Sequence, residues 1–168
     1  MKKTFTMHEV LNIAGFYAQL NNEENKAKAD EIGVKVRWAL KKAISTMASD
    51  VKQFEEFRDS EVQKIREEFF SEEKSHTVER PELDENGDQK LDEEGNVLMQ
   101  SVQEVKPEYV DDYKKVIDTL NESLSEIAKE EHTYEYGGIS MDAFIEKLSD
   151  NTVLTFDELN LLDAVLGE

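Results

Sequence analysis

This 168-residue sequence contains no cysteine, two prolines and a single tryptophan. Without cysteine the chain has no disulfide, no thiolate metal ligand and no cysteine nucleophile. It also lacks any apolar run near the roughly 20 residues that a membrane-spanning helix requires. The opening MKKTFTMHEV has two lysines but no apolar stretch behind them, so we expect no signal peptide and a soluble, cytoplasmic protein.

Positive charge is scarce as well. Lysine and arginine number 20 against 39 aspartates and glutamates, which gives a net charge of −19 at pH 7. A surface of this charge repels nucleic acids and anionic membranes, so neither is expected as a direct partner. It favours either plain solubility or a protein partner with a basic groove, and the composition leaves both open.

Only 38% of the residues are apolar and 35% are charged, a composition that suits long helices burying one stripe each. The apolar spacing predicts a helix over 6–22, opened by a Thr6–Glu9 capping box. It also predicts a long helix over 26–70 and a further helix over 108–124. The two apolar stripes of these later helices should pair as a long antiparallel helical hairpin.

Residues with strand propensity lie around and after the acidic middle of the chain. Turn residues and alternating side chains predict a β-hairpin over 75–105 and a strand over 127–136, which should form a small antiparallel sheet. Two short helices are expected over 140–166, the second opened by a Thr155–Glu158 capping box. The chain is therefore predicted to be one α+β, mainly α domain with short terminal helices.

The acidic stretch 82–97, ELDENGDQKLDEEGNV, nearly repeats itself after eight residues. An EF-hand calcium loop needs glycine at its sixth position and glutamate at its twelfth. Counted from Asp84, those positions hold Gln89 and Gly95, and the count from Asp92 fails in the same way. Asn-Gly and Glu-Gly dipeptides instead favour tight turns at a hairpin tip, with weak calcium binding as the less favoured interpretation.

No pattern typical of catalysis is present in the sequence. His8, His76 and His132 fall in different predicted elements, and there is no HExxH, glycine-rich phosphate loop or GxSxG motif. We therefore predict no catalytic residues, no cofactor and no metal site, and a protein that is not an enzyme.

The stretch 26–42 runs against the overall charge, since it carries six cations and only two carboxylates. Three of its lysines are spaced by seven and so share one helix face. Trp38 lies off the main apolar stripe, so it either anchors a partner or is covered by the first helix or the C-terminal helices. The candidate partner interface consists of Trp38, Lys28, Lys35, Arg37 and Lys42.

The order of elements resembles a family of small acidic proteins encoded by tailed bacteriophages. The resemblance lies in a capped helix, a long charged helix, the DENGD…DEEGN double turn, a tyrosine-rich helix, a strand and the closing LTFDELNLLDAVL helix. It implies a phage gene product that acts in the host cytoplasm or during particle assembly, and it brings no residue roles. The helix–β-hairpin–helix order is also similar to that of prefoldin-like chaperones.

Two functions follow from charge and layout. The leading hypothesis is a non-enzymatic, phage-encoded protein-binding module, an acidic inhibitor of a host nucleic-acid-binding or defence complex whose carboxylates occupy a groove built for phosphates. The alternative is a virion structural or chaperone-like assembly protein, whose apolar stripes would continue into a homo-oligomer.

Overall fold

The computed structural model describes residues 1–146, 148 and 152–167. Its contacts divide the chain into two compact units. Unit 1 consists of Met1–Glu56 and the part of the chain from Leu124 onward, and unit 2 consists of Phe57–Ser123. The predicted α+β, mainly α class is confirmed, while the division into one domain stays a prediction.

Five helices and four strands are described. The helices are α1 (Met7–Gln19), α2 (Lys26–Phe69), α3 (Val110–Ile127), α4 (Met141–Ile145) and α5 (Phe156–Leu166), with short 3-10 turns at Glu23–Asn25 and Pro107–Tyr109. The strands are β1 (Lys2–Thr6), β2 (Ser75–Pro81), β3 (Met99–Val105) and β4 (Glu131–Glu135). Both predicted capping boxes form, at the starts of α1 and α5. Among the described residues, no helix is both long and apolar enough to cross a bilayer.

The antiparallel strand pairing occurs as two separate two-stranded sheets, β1–β4 and β2–β3. The sequence did not predict β1, which pairs with β4 from Lys2 opposite Glu135 to Thr6 opposite Glu131. Its five residues, KKTFT, bury only Phe5 and so carry almost no periodic signal. The partner strand is shorter than the predicted 127–136, because α3 continues to Ile127.

The long helix predicted over 26–70 is present as α2, 44 residues long, but it is interrupted at Gly33. The backbone there has φ 75° and ψ 164°, a region that residues with a side chain almost never adopt. Glycine reaches it without steric cost, so the helix changes direction at this position. The sequence predicted no break, because an isolated glycine does not interrupt an otherwise helical pattern of apolar residues.

Unit 1 holds the hydrophobic core. One cluster of 20 buried side chains joins β1, α1, the first half of α2, β4 and the C-terminal helices. Its fully buried members include Val10, Leu40 and Leu162, each supplied by a different helix. Tyr136 adds a buried hydrogen bond, its hydroxyl donating to the carbonyl of Val165 at 3.0 Å. Burial raises the pKa of this phenol to about 12.

Unit 2 contains the end of α2, the β2–β3 hairpin and most of α3. The two strands pair in register from Ser75 opposite Val105 to Pro81 opposite Met99. Phe69 meets Tyr113 edge to face, with ring centroids 5.4 Å apart, where α2 ends and α3 begins. The two helices line a common groove along their lengths in this unit, as expected for an antiparallel helical hairpin.

Candidate functional site

The acidic stretch between β2 and β3 folds into two successive loops, which we call the double-loop tip (residues 82–98). Isolated bridges close the loops, one pairing Leu83 with Gln89 and the other pairing Leu91 with Val97. Each loop contains a glycine at φ 85°. The tight-turn interpretation of the repeat therefore describes the local structure, and each copy of the repeat forms one loop.

The base of the double-loop tip is a closed ring of three backbone hydrogen bonds. The amide of Glu82 donates to the carbonyl of Leu98 at 2.8 Å, and that of Lys90 donates to Glu82 at 2.8 Å. The amide of Leu98 completes the ring by donating to Lys90 at 2.9 Å. These three residues are eight apart in sequence, so the eight-residue repeat sets the geometry of the ring.

The first aspartate of each loop is used to build the turn. Oδ1 of Asp84 accepts the amides of Asn86 and Asp88 at 2.8 and 3.0 Å. Oδ1 of Asp92 accepts the equivalent amides in the second loop at 2.9 Å each. The backbone N–H of Asn96 is the main group that holds the pKa of the Asp92 carboxyl below its usual value. Across the part of the chain that the structure describes, no group of three or more metal-ligating side chains comes together.

The remaining side chains of the double-loop tip face solvent. Every residue from 83 to 101 is exposed, including Leu83 at 52% and Leu91 at 57%. Glu82 is neutralised by Lys90, with Nζ and Oε1 2.5 Å apart. Besides Asp84 and Asp92, which hold the turns, four further carboxylates have no cation within 4 Å among the described residues: Glu85, Asp88, Glu93 and Glu94. The tip thus presents exposed leucines beside unneutralised carboxylates.

The helical hairpin of unit 2 leaves its apolar seam partly open. Hollows of about 570 Å³ lie on either side of it, and α3 has no fully buried residue. Phe57, Val62 and Val116 are all exposed along these hollows. An open seam of this kind is a surface onto which another apolar helix or strand can pack.

Most of the predicted interface around Trp38 comes together in unit 1. Trp38 is 55% exposed, so neither the first helix nor the described C-terminal helices cover it. Val34, one turn earlier, is 73% exposed. We define the cationic patch by six residues of α2: Val34, Lys35, Arg37, Trp38, Lys41 and Lys42.

Lys28 does not join the cationic patch. It lies before the break at Gly33, and its Nζ donates to Oε1 of Glu158 on α5 at 2.6 Å. The seven-residue spacing that suggested a shared face assumed an unbroken helix, and the glycine removes that assumption. Lys41, which the prediction omitted, takes part instead.

Two lysines of the cationic patch lie close to the indole. Nζ of Lys41 and Nζ of Lys42 lie 5.6 and 5.4 Å from the ring centroid of Trp38, within the range of cation–π attraction. A hollow of about 190 Å³ between the ring and α1 reaches Arg37, whose Nε is buried without a hydrogen-bond partner in the described structure. None of the four cations has a carboxylate within 4 Å in the described ranges.

A hydrogen-bonded cluster that the sequence did not predict links β4 to α2. Oδ2 of Asp50 accepts the hydroxyl of Tyr134 at 2.7 Å and lies 3.2 Å from Nδ1 of His132. Burial, together with the Asp50 carboxylate, raises the pKa of the Tyr134 phenol, which therefore stays protonated. Both partners use the same carboxylate oxygen, so the cluster fixes the strand against the helix. Asp50 lies more than 80 positions before His132 and Tyr134, so no local sequence pattern connects it with them.

No protein-family model, curated protein or solved structure matches this chain. The functional argument therefore depends on the chemistry of the double-loop tip, the open seam and the cationic patch.

Proposed function

We propose that the chain is a non-enzymatic protein-binding module whose main binding surface is the double-loop tip. One observation carries the proposal: Leu83 and Leu91 are exposed beside carboxylates that no described cation neutralises. Exposed apolar side chains within a charged rim are typical of protein interfaces. A surface that only kept the protein soluble would not need the leucines.

The chemistry of the double-loop tip defines the partner. Its carboxylates favour a basic groove, and its leucines favour an apolar floor within that groove. The net charge of −19 makes direct binding to nucleic acid or to an anionic membrane unfavourable. A protein that normally binds phosphates offers such a groove.

This chemistry supports the interpretation of the chain as an acidic inhibitor of a nucleic-acid-binding or defence complex. With the resemblance in element order to proteins of tailed bacteriophages, we place that role in the cytoplasm of an infected host. Binding through carboxylates predicts an affinity that falls as salt rises. Affinity that is indifferent to salt would remove the mimicry of nucleic acid from the proposal.

The test is affinity capture from a bacterial host lysate at low and moderate salt. The bait proteins are the wild type and a tip variant, Leu83→Ser with Leu91→Ser. The matched control, Val62→Ser with Val116→Ser, removes two exposed apolar side chains from the seam of unit 2 instead. We expect a salt-sensitive set of proteins that the tip variant loses and the control keeps. If the tip variant captures the same proteins as the wild type, the double-loop tip is not the binding surface.

A second candidate function is supported by the open seam of unit 2. The exposed side chains of Phe57, Val62 and Val116 would be covered if two helical hairpins packed together, as in a virion structural or assembly protein that forms a homo-oligomer. Light scattering separates this candidate from the first. A defined oligomer that the seam control variant abolishes would favour it, whereas a monomer would exclude it.

A further inference from the structure

The double-loop tip and the cationic patch complement each other in charge. Apart from the turn-forming Asp84 and Asp92, the tip offers four carboxylates without a cation partner, and the patch offers four cations without a carboxylate partner, within the described part of the chain. We infer that the double-loop tip of one copy docks on the cationic patch of a second copy. The inference rests on the proposed function, since it takes the tip as a binding surface and adds a second copy of the chain to the proteins that this surface binds.

The charge of the patch is unusual for this chain. Carboxylates outnumber cations by 39 to 20, and lysines elsewhere do find partners, as Lys28 does with Glu158 and Lys74 with Glu68. The four patch cations instead lie close together on one helix, where their mutual repulsion is unrelieved. An incoming acidic segment relieves that repulsion and gains favourable contacts at the same time.

The apolar parts of the two surfaces match as well. Val34 and Trp38 are the exposed apolar residues of the patch, and Lys41 and Lys42 lie close to the Trp38 ring. Leu83 and Leu91 are the exposed apolar groups of the tip, each followed by acidic residues. Tryptophan in a ring of polar contacts is a frequent energetic centre of interfaces. Packing the leucines on the indole would bury all four side chains.

The repeat makes the double-loop tip a two-part ligand. Leu83 and Glu85 of the first loop correspond to Leu91 and Glu93 of the second. The patch likewise offers two ammonium groups, since Lys41 and Lys42 both lie within 6 Å of the Trp38 ring centroid. The two equivalent loops can therefore each bring one leucine to the indole and one carboxylate to the lysines beside it.

Contact between two different surfaces has a consequence for assembly. Each copy carries one tip and one patch, so two copies can satisfy each other reciprocally or several can close a ring. The occupant of the patch is then the same chain, which supplies the required leucines and carboxylates at its own concentration. A docking contact within one chain is a different arrangement, and it would not depend on concentration.

The experiment exchanges the charges of the two surfaces. The patch variant is Lys41→Glu with Lys42→Glu, and the tip variant is Glu85→Lys with Glu93→Lys. Each variant alone places like charges opposite each other at the exchanged positions, so we expect its self-association to weaken by about 10-fold or more. Mixed in equal amounts, the two variants regain opposite charges at every tip–patch contact, and we expect association to return. Sedimentation velocity at matched concentrations measures all three samples.

Matched controls carry the same charge changes elsewhere on α2. Lys52→Glu with Lys64→Glu corresponds to the patch variant, and Glu55→Lys with Glu67→Lys corresponds to the tip variant. All four positions are exposed. We expect both controls to associate like the wild type, and circular dichroism verifies that every variant is folded.

Trp38 gives an independent readout, because it is the only tryptophan of the chain. With rising protein concentration its emission should shift to the blue and become less accessible to acrylamide. Raising salt from about 0.1 M to about 1 M, which shortens the Debye length from about 10 Å to about 3 Å, should reverse both changes. The patch variant keeps the indole, so its emission should stay at the position of an exposed tryptophan.

Three results would overturn the inference. The first is a wild type that stays monomeric at low salt with unchanged Trp38 emission. The second is self-association that both charge-exchange variants retain, which is the result expected if the seam of unit 2 forms the contact. The third is a blue shift without any dependence on concentration, which indicates docking within one chain. None of these results bears on the capture of proteins from lysate. The proposed function is contradicted by a different result, in which the tip variant captures the same proteins as the wild type.

Discussion

The two units differ in how many of their apolar side chains they bury. Unit 1 buries 20 of them in one cluster, whereas the buried apolar residues described in unit 2 are Ile65 and Phe69. Unit 2 nevertheless exposes large apolar side chains on its helical hairpin and on the double-loop tip. Burial of apolar area is the main source of folding stability, so we expect unit 1 to contribute more of that stability than unit 2.

The largest expected effect compares the same substitution in the two units. Leu40→Ala removes a fully buried side chain from the core of unit 1 and should lower the free energy of unfolding by about 2–5 kcal/mol. Leu91→Ala, at an exposed position of the double-loop tip, should change it by no more than about 0.5 kcal/mol. Urea denaturation followed by circular dichroism measures both. Equal losses would mean that the tip is part of the stabilising core.

A second pair of variants tests backbone strain in each unit. Gly33→Ala places a side chain at φ 75° and ψ 164°, which should cost about 1–3 kcal/mol even though the space around it is open. Gly87→Ala also places a side chain at a positive φ, 85°, but in an exposed loop that can open locally, so we expect a smaller loss. The urea concentration at the midpoint of unfolding compares the two variants, provided that the dependence of the unfolding free energy on urea concentration is unchanged. If Gly33→Ala is harmless, the break in α2 is not a feature of the folded protein.

A third pair of variants removes one tyrosine hydroxyl from each unit to compare their hydrogen bonds. Tyr136→Phe deletes the buried hydrogen bond to Val165 and should cost about 1 kcal/mol. Tyr113→Phe is the matched variant in unit 2, where the hydroxyl makes no hydrogen bond to the described residues, and it should be neutral within about 0.5 kcal/mol. Thermal unfolding would detect the difference as a lower Tm for Tyr136→Phe only. A lower Tm for both would indicate that the Tyr113 hydroxyl has a partner in solution.

The smallest effect concerns the ion pairs. Burial tends to raise the pKa of the Glu158 carboxyl, but Lys28 and the Thr155 amide outweigh it and hold that pKa below its usual value. A lowered folded-state pKa stabilises the protein above the ordinary pKa, and this stability is lost as the pH falls through the folded value. Glu158→Gln keeps the capping geometry and removes the charge. Its loss of unfolding free energy relative to the wild type, below about 1 kcal/mol, should shrink as the pH falls from about 6 to about 3.

The control for this pH dependence is the ion pair of unit 2. Arg80 holds the pKa of Glu104 below its usual value, and Glu104→Gln removes that charge. Solvent screens this exposed pair more strongly than the half-buried pair of Lys28 with Glu158. The loss of unfolding free energy caused by Glu104→Gln should therefore vary less with pH. Denaturation series across the pH range compare the two variants. A larger pH dependence for Glu104→Gln would contradict the difference in burial between the units.

Local patterns in the sequence were enough for the helices, both capping boxes and the turns of the acidic repeat. Thr6 and Glu9 meet because they are three residues apart, and the repeat forms two loops because each copy carries its own aspartate and glycine. Such contacts lie within one or two turns of chain, so spacing alone predicts them. The candidate interface was predicted in part, since Trp38 and three of its cations lie within a single stretch of helix.

Other features depended on residues far apart in the sequence, and only the tertiary structure decided them. These are the pairing of β1 with β4, the cluster of Asp50 with His132 and Tyr134, and the loss of Lys28 from the patch. The break at Gly33 belongs with them, because a glycine permits a change of direction and packing selects it. The sequence by itself determined which segments are helical and where charge accumulates. The tertiary structure decided which apolar residues are covered, since burial depends on neighbours that local spacing does not specify.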